Sequence, residues 1–328
     1  MILVTGAAGH IGNVLTRQLV ADGKKVRALV LPGEDISAVA DMDIEIVEGN
    51  VLDPLSVARA MRDVKYVFHL AGIISIMPGE DELMRRVNVE GTRNVVQAAL
   101  REGVKRLVYT SSIHALSRDW KGSINENVPF DPENDVGGYD RTKAAASMVV
   151  LDAVKQGLDA VVVCPTGVIG PYDFRRSEMG DLLDGWLKRK LNFLIKGAYD
   201  FVDVRDAALG HILACERGKK GEVYLLSGWQ IKVFELKGMV DLILKRKSFS
   251  INIPLWIARG AAKLSPAFYR LTKRTPKFTE YSLKTLQSNS VVSCQKAQRE
   301  LGYRARDLLT TVTDTIGWWV QRHATDKN

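Results

Sequence analysis

The chain begins Met1-Ile2-Leu3-Val4-Thr5-Gly6-Ala7-Ala8-Gly9-His10-Ile11-Gly12, and this stretch decides the fold. Its apolar start, 2–4, predicts a short buried strand, and 13–21 predicts a helix. Between them, Gly6 permits a tight turn, Gly9 lets backbone approach a pyrophosphate, and Gly12 lets helix pack on strand. The helix N-terminus also favours phosphate charge. The pattern therefore predicts dinucleotide binding, the alternative being a glycine turn without a ligand.

The composition is that of a globular protein. With 328 residues, 46% of them hydrophobic and 26% charged, the chain can form one large domain or two. Its three cysteines are scattered without metal-ligand spacing, so we expect no metal site and a reducing compartment. A strand at residue 2 leaves no room for a signal peptide, and no long uncharged apolar run is present. We therefore expect a cytoplasmic protein.

The net charge of +8 is unevenly distributed, because 245–277 holds nine Lys or Arg and no Asp or Glu. The simplest interpretation is a solvated basic face. The alternatives are a surface for an anionic substrate or for anionic lipid, and for lipid Ile253-Pro254-Leu255-Trp256-Ile257-Ala258 would supply apolar anchors. Nucleic acid is not expected as a partner, because no recognisable binding module accompanies the charge.

Predicted strands and helices alternate along the first half of the chain. Strands are expected at 25–31, 44–48, 66–70, 107–111 and 160–164, and helices from Pro54 and at 83–101 and 139–156. This alternation predicts an α/β fold with a doubly wound parallel sheet, a Rossmann fold. We expect a Rossmann domain at 1–170, to which 201–228 returns. A smaller, mainly helical C-terminal substrate lobe, 171–200 and 229–328, should cover the carboxyl ends of the strands, where ligands bind.

Tyr139 and Lys143 lie four residues apart on a predicted helix and therefore share one face. A nearby ammonium stabilises tyrosinate, so the phenol could exchange a proton nearer neutral pH. The alternative is a surface pair with no role. Ser112 follows the apolar run 107–111, where a hydroxyl would point into the cleft and bond a substrate oxygen, or would merely end the strand.

Other polar residues allow two interpretations each. His69 precedes the small residues Ala71 and Gly72, which let backbone lie close to a ribose, but His69 itself is expected to be a buried structural histidine. His114 either lines the pocket or is a solvated loop residue. Asn88 lies within a predicted helix, where an asparagine needs a partner, so it has a structural role or contacts the cofactor.

Together these motifs resemble those of the extended short-chain dehydrogenase/reductases over essentially the whole chain. The matching stretches follow the family's order and spacing: 5–12, 69–72, 88–92, 110–112, 139–143, 164–171 and 201–206. Seven ordered motifs are far more specific than any single one.

The resemblance implies a role for each matching residue. Tyr139 would be the general acid/base, Lys143 would lower its pKa and bind the nicotinamide ribose, and Ser112 would hold the reacting oxygen. Besides Tyr139 and Lys143, the implied cofactor contacts are Gly6, Gly9, His10, Ile11, Gly12, Asn50, Val51, Leu70, Ala71, Gly72, Asn88, Pro165 and Val168. The family usually has Asp at the place of Asn50. Substrate contacts would come from Ile74, His114 and Arg205, and a homodimer would form through helices 83–101 and 139–156.

Within the family, 164–171 is more similar to the dihydroflavonol reductases, cinnamoyl-coenzyme-A reductases and 3β-hydroxysteroid dehydrogenases. Nucleotide-sugar epimerases usually carry Arg and Tyr where this chain has Cys164 and Ile169. We therefore expect an NAD(P)-dependent oxidoreductase that acts on a carbonyl or secondary alcohol of a small organic substrate. The alternatives are a nucleotide-sugar epimerase/dehydratase and a non-catalytic dinucleotide-sensing regulator, although such regulators typically lack the tyrosine.

The second strand decides which dinucleotide is expected. An NAD site usually has Asp or Glu at the strand end, which is Val30 here, and an NADP site often has Arg one residue later, which is Leu31. Without an acid to repel it, a 2′-phosphate is tolerated, and nearby Lys24, Lys25 or Arg27 could assist, whereas Glu34 and Asp35 oppose it. The sequence predicts a modest preference for NADP(H), with NAD(H) as the alternative.

Overall fold

A parallel sheet of seven strands forms the centre of the molecule. The computed structural model describes residues 1–75, 79–189, 191–272 and 279–325, with backbone alone at 265–272. Strands are numbered in chain order, and the sheet order is β10-β6-β5-β4-β1-β2-β3. Its members, all paired in parallel, are β1 Ile2–Thr5, β2 Val26–Val30, β3 Glu45–Glu48, β4 Tyr66–His69, β5 Arg106–Thr110, β6 Ala160–Pro165 and β10 Val223–Leu226. The predicted Rossmann fold is confirmed.

Helices cover both faces of this sheet, since every strand except the edge strand β3 buries apolar side chains on both sides. On one face lie α1 His10–Ala21 and α7 Val204–Arg217. The other face is covered by α2 Pro54–Met61, α4 Gly91–Arg101 and α5 Gly138–Lys155. β1 lies between β2 and β4, where the strand order reverses, so the cleft opens at the carboxyl ends of β1 and β4.

The predicted helix 83–101 has a more complex structure. It starts earlier, as α3 Asp81–Met84, continues through a π-helical segment Arg85–Glu90, and ends as α4. Asn88 lies inside the π-helical segment and bonds both backbone groups of Ile73, whose N–H and carbonyl lie 2.8 and 3.0 Å from the amide. Short π-helical segments often occur at functional sites.

The C-terminal lobe contains strands as well as helices. A three-stranded sheet combines β7 Gly167–Ile169, β9 Ala198–Asp203 and β11 Trp229–Lys232, and a two-stranded sheet pairs β8 Leu191–Leu194 with β12 Phe249–Asn252. The helices are α6 Glu178–Lys188, α8 Val233–Ile243, α9 Leu255–Thr272, α10 Glu280–Gln287, α11 Gln295–Leu301 and α12 Leu308–Thr325. Within the described residues, no helix is both long and apolar enough to span a membrane.

The segment 201–228, expected to return to the Rossmann domain, contributes to two sheets. Residues 201–203 end β9, which pairs with β7 and β11. After α7, the strand β10 pairs with β6 in the main sheet. The other helices and strands begin and end within three residues of their predicted bounds. The third strand, for example, begins at Glu45 rather than Ile44.

Candidate active site

The glycine turn between β1 and α1 is shaped by backbone contacts. Gly6 has a φ of +73°, and a Cβ there would lie 2.7 Å from the amide nitrogen of Ala71. A Cβ on Gly12 would lie 2.1 Å from the Gly6 carbonyl oxygen. Gly9 caps α1 and, having no side chain, offers no side-chain acceptor to the first-turn N–H groups of this helix. A phosphate fits this cradle, since backbone can approach it closely and the N–H groups point towards it.

A chain of buried hydrogen bonds fixes the strand ends beside this turn. Thr5 Oγ1 lies 2.7 Å from His69 Nδ1, and His69 Nε2 lies 3.0 Å from Thr92 Oγ1. Thr5 also accepts the N–H of Ala71, and Thr92 donates to the Asn88 carbonyl. Burial lowers the pKa of His69 to about 3, so the imidazole is neutral. His69 is thus the buried structural histidine that the sequence predicts, and it holds Ala71 and Gly72 against β1.

The structure brings Ser112, Tyr139 and Lys143 together. Ser112 lies just past the end of β5 and caps the 3₁₀ turn Ile113–Ala115 by accepting the N–H of His114. Tyr139 is in the first turn of α5, and Lys143 is one turn later. Lys143 Nζ donates to the Thr110 carbonyl at 2.5 Å and lies 4.6 Å from the centroid of the Tyr109 ring. All three side chains are buried, as a water-excluding site requires.

Burial dominates the proton equilibria of this group. It raises the pKa of Tyr139 to about 12, and a hydrogen bond with Ser112 acts in the opposite direction. Burial also lowers the pKa of Lys143 to about 7. The sequence led us to expect the ammonium to lower the tyrosine pKa. In the free protein the loss of hydration is the larger effect on both groups.

Asn88 lies between the two halves of the site. Its amide binds Ile73, as described above, and also donates to Thr142 Oγ1 at 3.1 Å. A Cβ on Gly72 would lie 3.1 Å from Asn88 Oδ1 and 4.0 Å from Lys143 Nζ. Asn88 therefore has hydrogen-bond partners that fit a structural role. Its position next to Gly72 is also compatible with a contact to the cofactor.

Other residues predicted as cofactor contacts lie near the carboxyl ends of β1, β4 and β6. The Leu70 N–H donates to the Thr5 carbonyl, and His10 Nε2 lies 3.0 Å from the Pro171 carbonyl oxygen. Pro165 ends β6, and Val168 lies in β7 opposite Val202. Asn50 and Val51, two further predicted cofactor contacts, have local partners. Asn50 Oδ1 accepts the Leu52 N–H, and Val51 is buried against Gly91.

A buried polar network that sequence reasoning missed surrounds His114. Arg118 donates to His114 Nδ1, so Nε2 carries the hydrogen that meets the Tyr199 hydroxyl. Arg118 also donates to Asp140, whose other oxygen accepts from the Tyr281 hydroxyl at 2.6 Å. Burial and the Arg118 charge hold the pKa of His114 well below its usual range. Asp140 follows Tyr139 directly, which was the one signal of this network in the sequence.

The other two predicted substrate residues lie in different surroundings. The Arg205 guanidinium pairs with Asp203 and with Asp314, in both cases at 2.7 Å, and its carbonyl accepts from Gln18 of α1. Asp203 caps α7, Asp314 lies in α12 and Gln18 lies in α1. The described partners of Arg205 are therefore structural, and its contact with substrate stays a prediction. Ile74 is 69% exposed beyond Gly72, and its contact with substrate stays a prediction.

The end of β2 carries a carboxylate that the linear sequence did not place there. The turn after Val30 folds Glu34 back, so that its Oε2 accepts the Leu31 N–H at 2.7 Å. The other carboxylate oxygen pairs with Arg175, from the loop after β7. The strand end is therefore neither acidic nor basic overall, since the two charges are paired.

Comparison with known proteins identifies the family. The model of the NAD dependent epimerase/dehydratase family matches residues 2–227. The chain belongs to this family. This confirms the resemblance to the extended short-chain dehydrogenase/reductases and makes the protein an NAD(P)-dependent enzyme.

Similar proteins include several reductases and dehydrogenases. Sterol demethylase protein B of Methylococcus capsulatus is 34% identical, over 98% of each chain. A putative dihydroflavonol 4-reductase of Synechocystis is 29% identical, over 98% of this chain and 94% of its own. The crystal structure of gox2253 has a TM-score of 0.85 at 33% identity, with 98% of each chain covered. UDP-glucose 4-epimerase of Thermotoga maritima, 20% identical, has a TM-score of 0.81 over 98% of this chain and 99% of its own, and shows the fold alone.

Proposed function

We propose that this enzyme transfers hydride between a nicotinamide cofactor and a carbonyl or secondary-alcohol carbon of a small organic substrate, as a dihydroflavonol reductase does. The observation that carries the proposal is the convergence of Ser112, Tyr139 and Lys143 at one buried point beside the glycine turn. The nicotinamide supplies or accepts the hydride when it is bound. The chain must then hold the substrate oxygen and move one proton.

The three side chains divide these tasks. The Ser112 hydroxyl bonds the reacting oxygen, and the Tyr139 phenol donates its proton to that oxygen in reduction or accepts it in oxidation. Burial raises the pKa of Tyr139 to about 12, so the phenol is protonated at neutral pH and ready to donate. Lys143 stabilises the tyrosinate that reduction leaves, and its own charge depends on what is bound beside it.

Aromatic rings beside Tyr139 favour a flat, ring-containing substrate. The His114 and Tyr199 rings stack with centroids 5.8 Å apart, and Phe201 lies 5.4 Å from Tyr199. The His114 ring also lies 6.1 Å from the Tyr139 ring. Stacked rings bind apolar ring faces well. The relatives named for dihydroflavonol and 3β-hydroxysteroid chemistry support the same class of substrate.

For the cofactor we propose a modest preference for NADP(H), with NAD(H) also bound. The carboxylate of Glu34 at the end of β2 disfavours a 2′-phosphate, but its charge is paired with Arg175. Arg175 can turn to the phosphate, because it is half exposed. The Glu34–Arg175 pair thus permits both cofactors, and the preference depends on a small difference between their binding free energies.

A substrate screen tests the reaction. Aldehydes, ketones and flavonoid-like and steroid-like carbonyls are offered with NADPH or NADH, and cofactor oxidation is followed by absorbance. We expect net oxidation with at least one ring-containing carbonyl. Nucleotide sugars are screened in parallel by product analysis. Sugar conversion without net cofactor consumption would replace the proposal with an epimerase, and dinucleotide binding without any turnover would indicate a sensor.

Tyr139→Phe is the matched catalytic variant, because it removes the hydroxyl and keeps the ring. We expect turnover to fall by roughly 10²–10⁴, the usual contribution of a general acid/base. Cofactor affinity should be retained, because the phosphate cradle lies at Gly6 to Gly12. Activity within about threefold of the parent would exclude Tyr139 as the proton donor.

A further inference from the structure

The two-stranded sheet of the C-terminal lobe exposes its apolar side. In register, Leu191 lies opposite Phe249, and Phe193 lies opposite Ile251. Side chains alternate along a strand, so these four share one face, and each is between 46% and 80% exposed. On the inner side of β8, Asn192 and Leu194 are buried, and the Asn192 Nδ2 has no hydrogen-bond partner among the described residues. Large apolar side chains thus cover the outward face, where a water-facing sheet ordinarily carries polar residues.

Helix α9 extends this apolar face directly after β12. Trp256 is 74% exposed and Leu264 is 69% exposed, and the two lie eight residues apart on one side of the helix. The opposite side is packed, since Ala258 and Ala262 form a small core with Ile195 and Leu283. The helix is therefore fixed by its small residues, while its large apolar residues remain outside.

Positive charge surrounds the apolar residues. Arg259 and Lys263 lie on the exposed side of α9, between Trp256 and Leu264. Lys245 and Lys247 are exposed just before β12, and Lys196 just after β8. Within the described residues none of these five cations forms an ion pair with a carboxylate, and 245–264 contains no Asp or Glu. Four further cations of the basic segment, Arg270, Lys273, Arg274 and Lys277, lie outside the residues whose side chains are described.

We propose that this surface, formed by the outer face of β8 and β12 and the exposed side of α9, docks onto an anionic lipid bilayer. Apolar side chains that include a tryptophan, bordered by cations, fit the boundary between acyl chains and anionic headgroups. The charge identifies the partner, because each cation near an anionic membrane adds to the attraction. The five described cations alone give this surface its positive charge.

Docking would also orient a cavity near the active site towards the membrane surface. Arg259 and Lys263 of α9, together with Arg118 and Leu283, line a cavity of about 550 Å³. Arg118 in turn contacts His114, next to Tyr139. The same helix therefore contributes to the membrane-facing surface and to the wall of this cavity, which would open at the headgroup level. The docking itself does not depend on the proposed reaction and is tested without substrate.

The experiment is sedimentation of the full chain with vesicles. One set is phosphatidylcholine alone, and the other contains about a third phosphatidylglycerol, at about 0.15 M salt, where charge is partly screened. We expect at least about tenfold stronger partitioning onto the anionic set. The variants Phe249→Glu with Trp256→Glu, and separately Arg259→Glu with Lys263→Glu, should each lower this partitioning at least about tenfold.

Leu55→Glu is the matched control, because Leu55 is 71% exposed on α2, in the other domain. It should bind vesicles as the parent does, and circular dichroism verifies that every variant is folded. Equal binding to both vesicle sets, absence of binding, or an equal loss in Leu55→Glu would overturn the proposal. So would an oligomer in solution that Phe249→Glu with Trp256→Glu dissociates, since the face would then join copies of the chain.

Discussion

The charge state of Lys143 depends on what lies beside it, because burial lowers its pKa to about 7 in the free protein. An anionic dinucleotide in the cleft favours the ammonium, so the pKa of Lys143 is higher in the complex than in the free protein. Binding at alkaline pH must then take up a proton. We expect the dissociation constant to rise above pH 7, by at most about tenfold per pH unit, until the pKa of the complex is reached.

Fluorescence titration of NADPH between about pH 6 and pH 9 measures this dependence. Lys143→Arg keeps a cation at every pH in the range, so its affinity should be almost independent of pH. Lys143→Met should bind more weakly, also with a flat profile. A Lys143→Met variant with the same slope as the parent would assign the titration to another group.

Cofactor choice is also decided at single residues, at the end of β2. Glu34→Gln removes the charge that opposes a 2′-phosphate and leaves Arg175 unpaired. We expect NADPH affinity to rise by about tenfold, roughly the 1.4 kcal/mol of one charge-assisted contact. Leu31→Arg should act in the same direction. NADH affinity should change little in either variant.

Titration of both cofactors against the parent and the two variants checks this prediction. Arg175→Gln is the opposite change, and it should weaken NADPH more than NADH. Parent protein that binds NADH about ten times more tightly than NADPH would show that Glu34 governs the site despite its pairing.

At the scale of elements, the packing of α1 on the first turn depends on Gly12. A Cβ at this position would lie 2.1 Å from the Gly6 carbonyl oxygen and 3.0 Å from the Ala7 Cα, both backbone atoms. Gly12→Ala must therefore displace the helix from the turn. We expect a loss of about 1–3 kcal/mol in the free energy of unfolding, as for overpacked cores, and weaker dinucleotide binding.

Urea denaturation and NADPH titration measure the two effects. Gly238→Ala is the matched control, because Gly238 lies in α8 with nothing within 4 Å of an added Cβ. Alanine should be neutral or stabilising there, since it favours helix. If Gly12→Ala binds NADPH as tightly as the parent, the close approach of helix and turn is not required for the cradle.

The elements themselves could largely be predicted from the sequence, because each is specified locally. Asp53 and Pro54 marked the start of α2, where the Asp53 carboxylate does accept the Leu55 N–H. The sheet that β9 joins could not be predicted in this way. The apolar residues of 201–203 indicate a strand, but only the assembled structure shows that this strand pairs with β7 and β11.

At the scale of the whole molecule, the common site of Ser112, Tyr139 and Lys143 could be predicted from the sequence. Ser112 follows a strand, and Tyr139 and Lys143 share one face of a helix. The network around His114 was not predictable in the same way. Tyr199 and Tyr281 come from 85 and 167 residues further along the chain, and no local pattern marks them. Glu34, in contrast, is close to Val30 in the sequence. Even so, no sequence pattern predicted the turn that places its carboxylate against the Leu31 N–H.

The pH dependence of stability is a property of the whole molecule, to which three buried histidines contribute. Burial lowers the pKa of His69 to about 3 and that of His211 to about 4, and it lowers the pKa of His114 as well. His69 and His211 stay neutral in the folded protein at pH 5, whereas in the unfolded chain they take up protons below about pH 6.5. The unfolded state then binds more protons, so stability falls as the pH decreases.

We expect His69 and His211 each to remove about 1.6 kcal/mol from the free energy of unfolding between pH 6.5 and pH 5, since the unfolded imidazole is already half protonated at pH 6.5. Urea denaturation across this range measures the slope. His211→Gln should have a shallower slope, because it removes one titrating group, although it loses the bonds of His211 to Thr110 and Ala207. A parent whose unfolding free energy is the same at pH 6.5 and pH 5 would mean that these imidazoles are protonated in the folded protein.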